Sequence, residues 1–226
     1  MRRRHRVGLA TAAMAGGVLM AAAGWSLLDR VHPGVDSGAL PAASPAADPA
    51  VETHAPPVAV AVRGASGFHT EVDPVAATRD GDLTVPARRD RAGWWALGAA
   101  PGDSRGTVLI AGHVDTKEGL GAFAELHELD LGTQVEVTGA DGRTHRYRIT
   151  ARRTYPHTQL PADLFSSAGP PRLALLTCAG DYDPATGQYA DNLVLYGEWT
   201  GAGPAHAPSP SSGTAGGERR PREASR

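Results

Sequence analysis

Between residues 58 and 200 the apolar side chains come in short runs of strand length, set apart by Gly, Pro, Asn and Asp. Val58, Val60 and Val62 alternate, residues 83–86 form a brief extended run, and residues 107–112 are apolar throughout, as in a strand covered on both faces. Val135 and Val137 alternate up to a turn at Gly139, Asp141 and Gly142, and His145, Tyr147 and Ile149 alternate on the way back, which reads as a hairpin. Apolar runs at residues 173–178 and 193–199 close the series. Helical spacing is confined to residues 121–129, where Phe123, Leu126 and Leu129 repeat every third position. So many strands in one domain length predict an all-β fold, a closed or nearly closed barrel of roughly eight strands with a short helix.

The flanks are of another kind. Arg2, Arg3, Arg4 and Arg6 precede the uncharged stretch 7–28, whose 22 residues span about 33 Å as a helix, enough for the hydrocarbon core. The arginines ahead of it, against the single Arg30 behind, orient the N-terminus inward and the rest of the chain outward. Residues 1–30 therefore read as cytoplasmic arginines and a membrane anchor, with a cleaved signal peptide ending near Ala21–Ala23 as the alternative. Export holds on either reading. Residues 31–57, with Pro33, Pro41, Pro45, Pro49, Pro56 and Pro57 among alanines, read as a linker, and residues 201–226 as a disordered tail. Between them, residues 58–200 form the one domain with enough apolar side chains for a core.

Charge and cysteine usage exclude several function classes. Lys and Arg number 22 against 24 Asp and Glu, so bulk electrostatics argue against a nucleic-acid partner. The single cysteine, Cys178, excludes an internal disulfide and a multi-cysteine zinc site, and no His pair has ligand spacing. Neither a metal nor an organic cofactor is expected.

Two apolar runs end in a reactive residue: "TVLIAGH" at His113 and "LALLTC" at Cys178. If the two strands are parallel neighbours, both side chains lie at one end of the sheet, where an imidazole can take a thiol proton and return it to a leaving amine. The plainer reading keeps Cys178 as a small buried hydrophobe and His113 as a structural histidine, with Asp115 as a possible partner. Gly112 beside His113 points to close approach of another part of the chain.

The strings "AGHVDT" (111–116) and "LLTCAG" (175–180) resemble the two signature segments of sortases. "GDLTVP", "GWW", "GAFAEL" and "TGQYADNLVLY" extend the likeness over residues 58–200, and the combination resembles the actinobacterial class E and class F sortases, class F more closely. The resemblance implies an eight-stranded sortase barrel facing the cell exterior behind its membrane anchor. It implies a cysteine transpeptidase that cuts an LPXTG-like sorting signal of exported proteins between Thr and Gly, through an acyl-thioester. A peptidoglycan or pilin amine would resolve that thioester. Cys178 would be the nucleophile and His113 the general acid and base, in a coupled pair working by reverse protonation. Sortases also present an arginine on the strand after the cysteine; here that position is Asn192, flanked by Ala190 and Asp191. Asn192 itself, or an arginine from elsewhere such as Arg88, Arg89 or Arg172, would then hold the substrate backbone or the oxyanion, or the enzyme is impaired. A catalytically silent barrel binding cell-wall material or a surface protein is the competing function class.

Overall fold

The structure, a computed structural model, describes residues 35–42, 55–63, 67–76 and 83–203. The stretch read as a membrane anchor and the tail beyond residue 203 lie outside these residues. The strands are β1 (Ser37–Gly38), β2 (Pro57–Val62), β3 (His69–Val75), β4 (Arg91–Trp95), β5 (Thr107–Gly112), β6 (Asp115–Thr116), β7 (Gly119–Leu120), β8 (Gln134–Gly139), β9 (Thr144–Pro156), β10 (Arg172–Asp183) and β11 (Gln188–Ala202). Among the described residues, two short 3-10 helices, Ala124–Glu128 and Ala162–Phe165, interrupt the connections.

Eight strands run β9-β11-β10-β5-β4-β3-β2-β8, and β8 pairs back onto β9, so the sheet closes into a barrel. The β3–β4 and β5–β10 pairs are parallel and the other barrel pairs antiparallel. β9 is longer than its partner: β8 pairs with residues 144–148, and further along β1 pairs with Ala151 and Arg152. Part of the Pro/Ala-rich stretch is thus laid on the barrel, where it covers strand edge that would otherwise be left unpaired. Asp36 Oδ1 accepts from the Thr154 amide at 2.8 Å, and Arg153 donates to the Ser37 and Gly38 carbonyls.

The alternation of each strand divides the apolar side chains between two layers. Val60, Ile110, Val137, Ile149, Leu175 and Leu195 fill the barrel interior. Leu109, Ala111, Ala174, Leu176, Val194 and Tyr196 point outward into a second cluster with Leu164, against which Leu83, Val85, Leu160 and Phe165 pack. This second layer explains why β5 is buried along its whole length, as its apolar run predicts. Residues 83–86 do not form a strand, apart from a bridge at Leu83; they lie as a strap against the outer cluster.

The helical spacing at 121–129 produces a five-residue 3-10 helix, Ala124–Glu128. In that geometry positions three apart stack on one side, so Phe123, Leu126 and Leu129 all reach the core without the length a stable α-helix needs. Its carbonyls are gathered by Arg152 of β9, which donates to Leu126, His127 and Leu129 at 3.4, 3.2 and 2.7 Å. Burial lowers the Arg152 pKa, and the nearby charges of Asp130 and Glu128 act against that shift.

Candidate active site at the end of two parallel strands

β5 and β10 run side by side in the same direction, from Arg172 opposite Thr107 to Leu176 opposite Ala111. Continuing that register places Thr177 beside Gly112 and Cys178 beside His113, the first residue after β5. The Thr177 hydroxyl donates to the Gly112 carbonyl at 2.9 Å and fixes the two strands one residue before both side chains. Neighbouring strands are about 4.8 Å apart, so Cys178 and His113 occupy adjacent positions. Both continue the outward-facing series, Ala174 and Leu176 leading to Cys178, Leu109 and Ala111 to His113. Across the antiparallel side Cys178 pairs with Asn192 of β11, and Asn192 with Tyr155 of β9. The sheet thus carries a row of four side chains, His113, Cys178, Asn192 and Tyr155, on its outer face.

His113 is held from outside the barrel. Its Nε2 lies 3.0 Å from the Pro86 carbonyl. A carbonyl oxygen only accepts, so Nε2 carries a proton, and in the neutral ring Nδ1 is the free basic nitrogen. The strap at 83–86 therefore sets the histidine tautomer. Behind the ring the chain is tightly threaded: a Cβ on Gly121 would stand 2.2 Å from the His113 carbonyl oxygen, and one on Gly112 would stand 2.8 Å from the Phe123 ring. The close approach expected at Gly112 is thus made by Phe123.

Asp115 does not partner His113. Its Oδ2 accepts from the Tyr189 hydroxyl at 2.8 Å, which ties the β6–β7 turn to the start of β11, next to Cys178. Burial pushes the Cys178 thiol above the ordinary thiol range, and the Asp115 charge pushes the same way. The Tyr189 hydroxyl is raised too, first by burial and then by its bond to Asp115. Asp115→Asn removes the charge and keeps an acceptor for Tyr189, so Cys178 should ionise at lower pH. Its alkylation by iodoacetamide at neutral pH should run about threefold faster. An unchanged or slower rate would show that the carboxylate does not act on the thiol.

The arginine candidates separate clearly. Arg172 sits six residues from Cys178 on β10, about 20 Å along the strand. There it donates to Thr107 Oγ1 and the Asp163 carbonyl and stacks on the Tyr196 ring. Arg88 is paired with Asp90 at 2.6 Å, and Arg89 donates to the Leu120 carbonyl at 2.9 Å. Among the described residues, none of these three arginines has a recorded bond to Cys178. Asn192 alone of the candidates stands opposite the cysteine. It is almost fully buried, and its Nδ2 donates to the His157 carbonyl at 3.2 Å, while the His157 amide bonds the Ala190 carbonyl at 2.8 Å. One amide hydrogen thus anchors the start of the loop over residues 157–171, and the amide has a second.

A residue that sequence spacing does not single out also reaches the site. His127, on the first 3-10 helix, places Nε2 3.1 Å from the Cys178 carbonyl oxygen. Its only sequence signal is a histidine inside an otherwise apolar three-residue repeat.

The sortase domain model matches residues 68–200. No curated protein matches the chain. Similar solved structures include sortase A of Listeria monocytogenes, 16% identical with a TM-score of 0.49, covering 65% of this chain and 88% of that one. Sortase C of Streptococcus pneumoniae is 17% identical with a TM-score of 0.49, over 68% of this chain and 73% of that one. Sortase E of Streptomyces avermitilis is 20% identical with a TM-score of 0.47, over 70% and 97%. With the family model spanning more than half of its residues, the chain belongs to the sortase family and is a cysteine transpeptidase of sortase type.

Proposed function

We propose that this sortase cleaves an LPXTG-like sorting signal between Thr and Gly, with Cys178 as nucleophile and His113 as general acid and base. The observation that carries the reading is the register of β5 and β10, which sets the two side chains at one level of one face. In the first step the Cys178 proton passes to His113 Nδ1, and the thiolate attacks the Thr carbonyl carbon. The new imidazolium keeps its Nε2–H on the Pro86 carbonyl. His113 then protonates the leaving Gly amine as the C–N bond breaks, which leaves an acyl-thioester on Cys178. An incoming amine gives its proton to His113, attacks the thioester and expels the thiolate. We further infer a class E or class F assignment, class F more closely, an acceptor amine from peptidoglycan or a pilin, and an anchor at residues 7–28 that leaves the barrel outside the membrane. The chain is fixed to β9 at Asp36, Ser37 and Gly38, so on this reading that point of the barrel stays within about 25 Å of the lipid.

Burial and the Asp115 charge raise the Cys178 thiol, so the alkaline limb of the activity profile should lie above the ordinary thiol range. Asn192 takes the position of the usual arginine, with its second amide hydrogen as the donor for the oxyanion. Asn192→Ala should lower turnover about tenfold through loss of that donor and release of the 157–171 loop; unchanged turnover would remove Asn192 from the mechanism. The direct test incubates the full-length chain with LPXTG-type peptides and hydroxylamine. The Thr-hydroxamate product is expected, and its absence across the panel with folded protein would overturn the LPXTG-like substrate reading.

A further inference from the structure

The pairing of β10 with β5 stops at Leu176, yet the nucleophile lies two residues further on. Beyond it β10 becomes irregular against β11, with a register shift between Ala179 and Tyr182. The peptide that carries the cysteine is thus paired on its β11 side, Cys178 with Asn192 and Ala179 with Asp191, but has no ladder partner on the β5 side facing His113, and a small drift there would change the distance from Sγ to His113. His127 meets that peptide from the first 3-10 helix, with Nε2 at 3.1 Å from the Cys178 carbonyl oxygen. As with His113, a carbonyl partner requires the proton on Nε2. Nδ1 is buried and has no hydrogen-bond partner among the described residues. Protonating it would place a charged N–H where nothing accepts it, with Arg152 already lending positive charge from β9 and Glu128 of the same helix the opposing charge. Burial accordingly holds the His127 pKa below its ordinary value.

We propose that His127 is a positioning residue: as an Nε2–H donor to the Cys178 carbonyl it pins the Cys178 peptide so that the thiol stays in register with His113. Its own support is the Arg152 guanidinium, which clamps the carbonyls of Leu126, His127 and Leu129 and keeps the helix against the barrel end. A line of hydrogen bonds therefore runs from β9 through the helix to the nucleophile's backbone, on the side away from the substrate face. The proposal rests on Cys178 and His113 being the reacting pair, but its readouts need no sorting-signal peptide. Failure of peptide cleavage and failure of this proposal can therefore be told apart.

The test is the iodoacetamide alkylation rate of Cys178 in the folded full-length chain at neutral pH. His127→Ala should slow it about tenfold, the equivalent of one net hydrogen bond, and His127→Gln, whose amide nitrogen falls near the Nε2 position, should restore it to within about twofold. Alkylation of folded His127→Ala at the wild-type rate would overturn the proposal, as would His127→Gln remaining as slow as the alanine variant. Should the alanine variant fail to fold, long-range proton–nitrogen correlation spectra of the wild-type chain decide the matter. A protonated Nε2 and bare Nδ1 at His127 are expected at about pH 7.5, above the ordinary histidine range from which burial lowers it, whereas an Nδ1–H tautomer at that pH would overturn it.

Discussion

Cys178→Ala is expected to remove peptide cleavage completely, leaving no turnover above the buffer rate, while the barrel keeps its fold. The expectation of an intact fold is as informative as the loss of activity. Cys178 lies at the end of the buried run of β10, past Leu176 and only partly buried, so trimming one sulfur leaves little cavity. Its backbone carbonyl still accepts from His127 and its neighbour Thr177 still bonds Gly112. The thermal midpoint should therefore shift by no more than a few degrees, on the basis of about 1 kcal/mol lost. Circular dichroism melts and a peptide cleavage assay on the same preparation check both halves; residual cleavage would assign the chemistry to another group.

His113→Ala should lower kcat about a thousandfold, through loss of both the base that takes the thiol proton and the acid that protonates the leaving amine. The affinity for peptide should change little, because the ring is held by the Pro86 carbonyl and is given no role in gripping the peptide. The pH dependence gives a sharper signature. If the imidazole takes the thiol proton, as proposed, alkylation of Cys178 in wild type should begin below the thiol's own ionisation. In His113→Ala only the unaided thiol remains, which burial and Asp115 push up, so alkylation should show a single rise at alkaline pH. A variant with the wild-type alkylation profile would mean that the two side chains do not communicate.

Several features of the barrel were legible because one strand face or both had to be apolar. The almost wholly apolar run of β5, the alternation of Val60 and Val62 in β2 and the hairpin of β8 and β9 follow from which faces are covered, whereas Val58 is exposed beside the register shift between Pro57 and Ala59. β3 and β4 were not legible in the same way. In His69–Val75 only Thr70 and Val72 are buried, and Glu71 and Asp73 stay on the outside. Those acids pair with Arg91 across the parallel β3–β4 ladder, an arrangement that exists only once the strands are side by side. β1 likewise owes its place to backbone pairing and to Asp36, which leaves no apolar trace in a Pro/Ala-rich stretch. The extended run at 83–86 was legible as extended chain, but not as the strap that holds His113, because Pro86 acts through a carbonyl that every residue possesses.

The candidate site divides along the same line. Cys178 and His113 stand out because each ends an apolar run, and the parallel pairing that joins them is a property of topology. Asn192 follows from likeness to a family pattern, and its position opposite Cys178 from the β10–β11 register. The loop contact of its amide could not be foreseen, since residues 157–171 have no periodicity to place them. Arg172 was an equal candidate with the other arginines until strand length set it at the far end of β10. His127 carries no spacing signal, because its partner is a backbone oxygen 51 residues away.

The union of sulfur and imidazole in one reaction is tested most directly by intact-mass measurement of the full-length chain, quenched in acid shortly after mixing with an LPXTG-type peptide and no amine acceptor. The expected result is a mass increase equal to the peptide up to its Thr, mapped to Cys178, released by hydroxylamine, and strongly reduced in His113→Ala. Peptide cleavage without any adduct on Cys178, or an adduct that forms equally fast in His113→Ala, would contradict it.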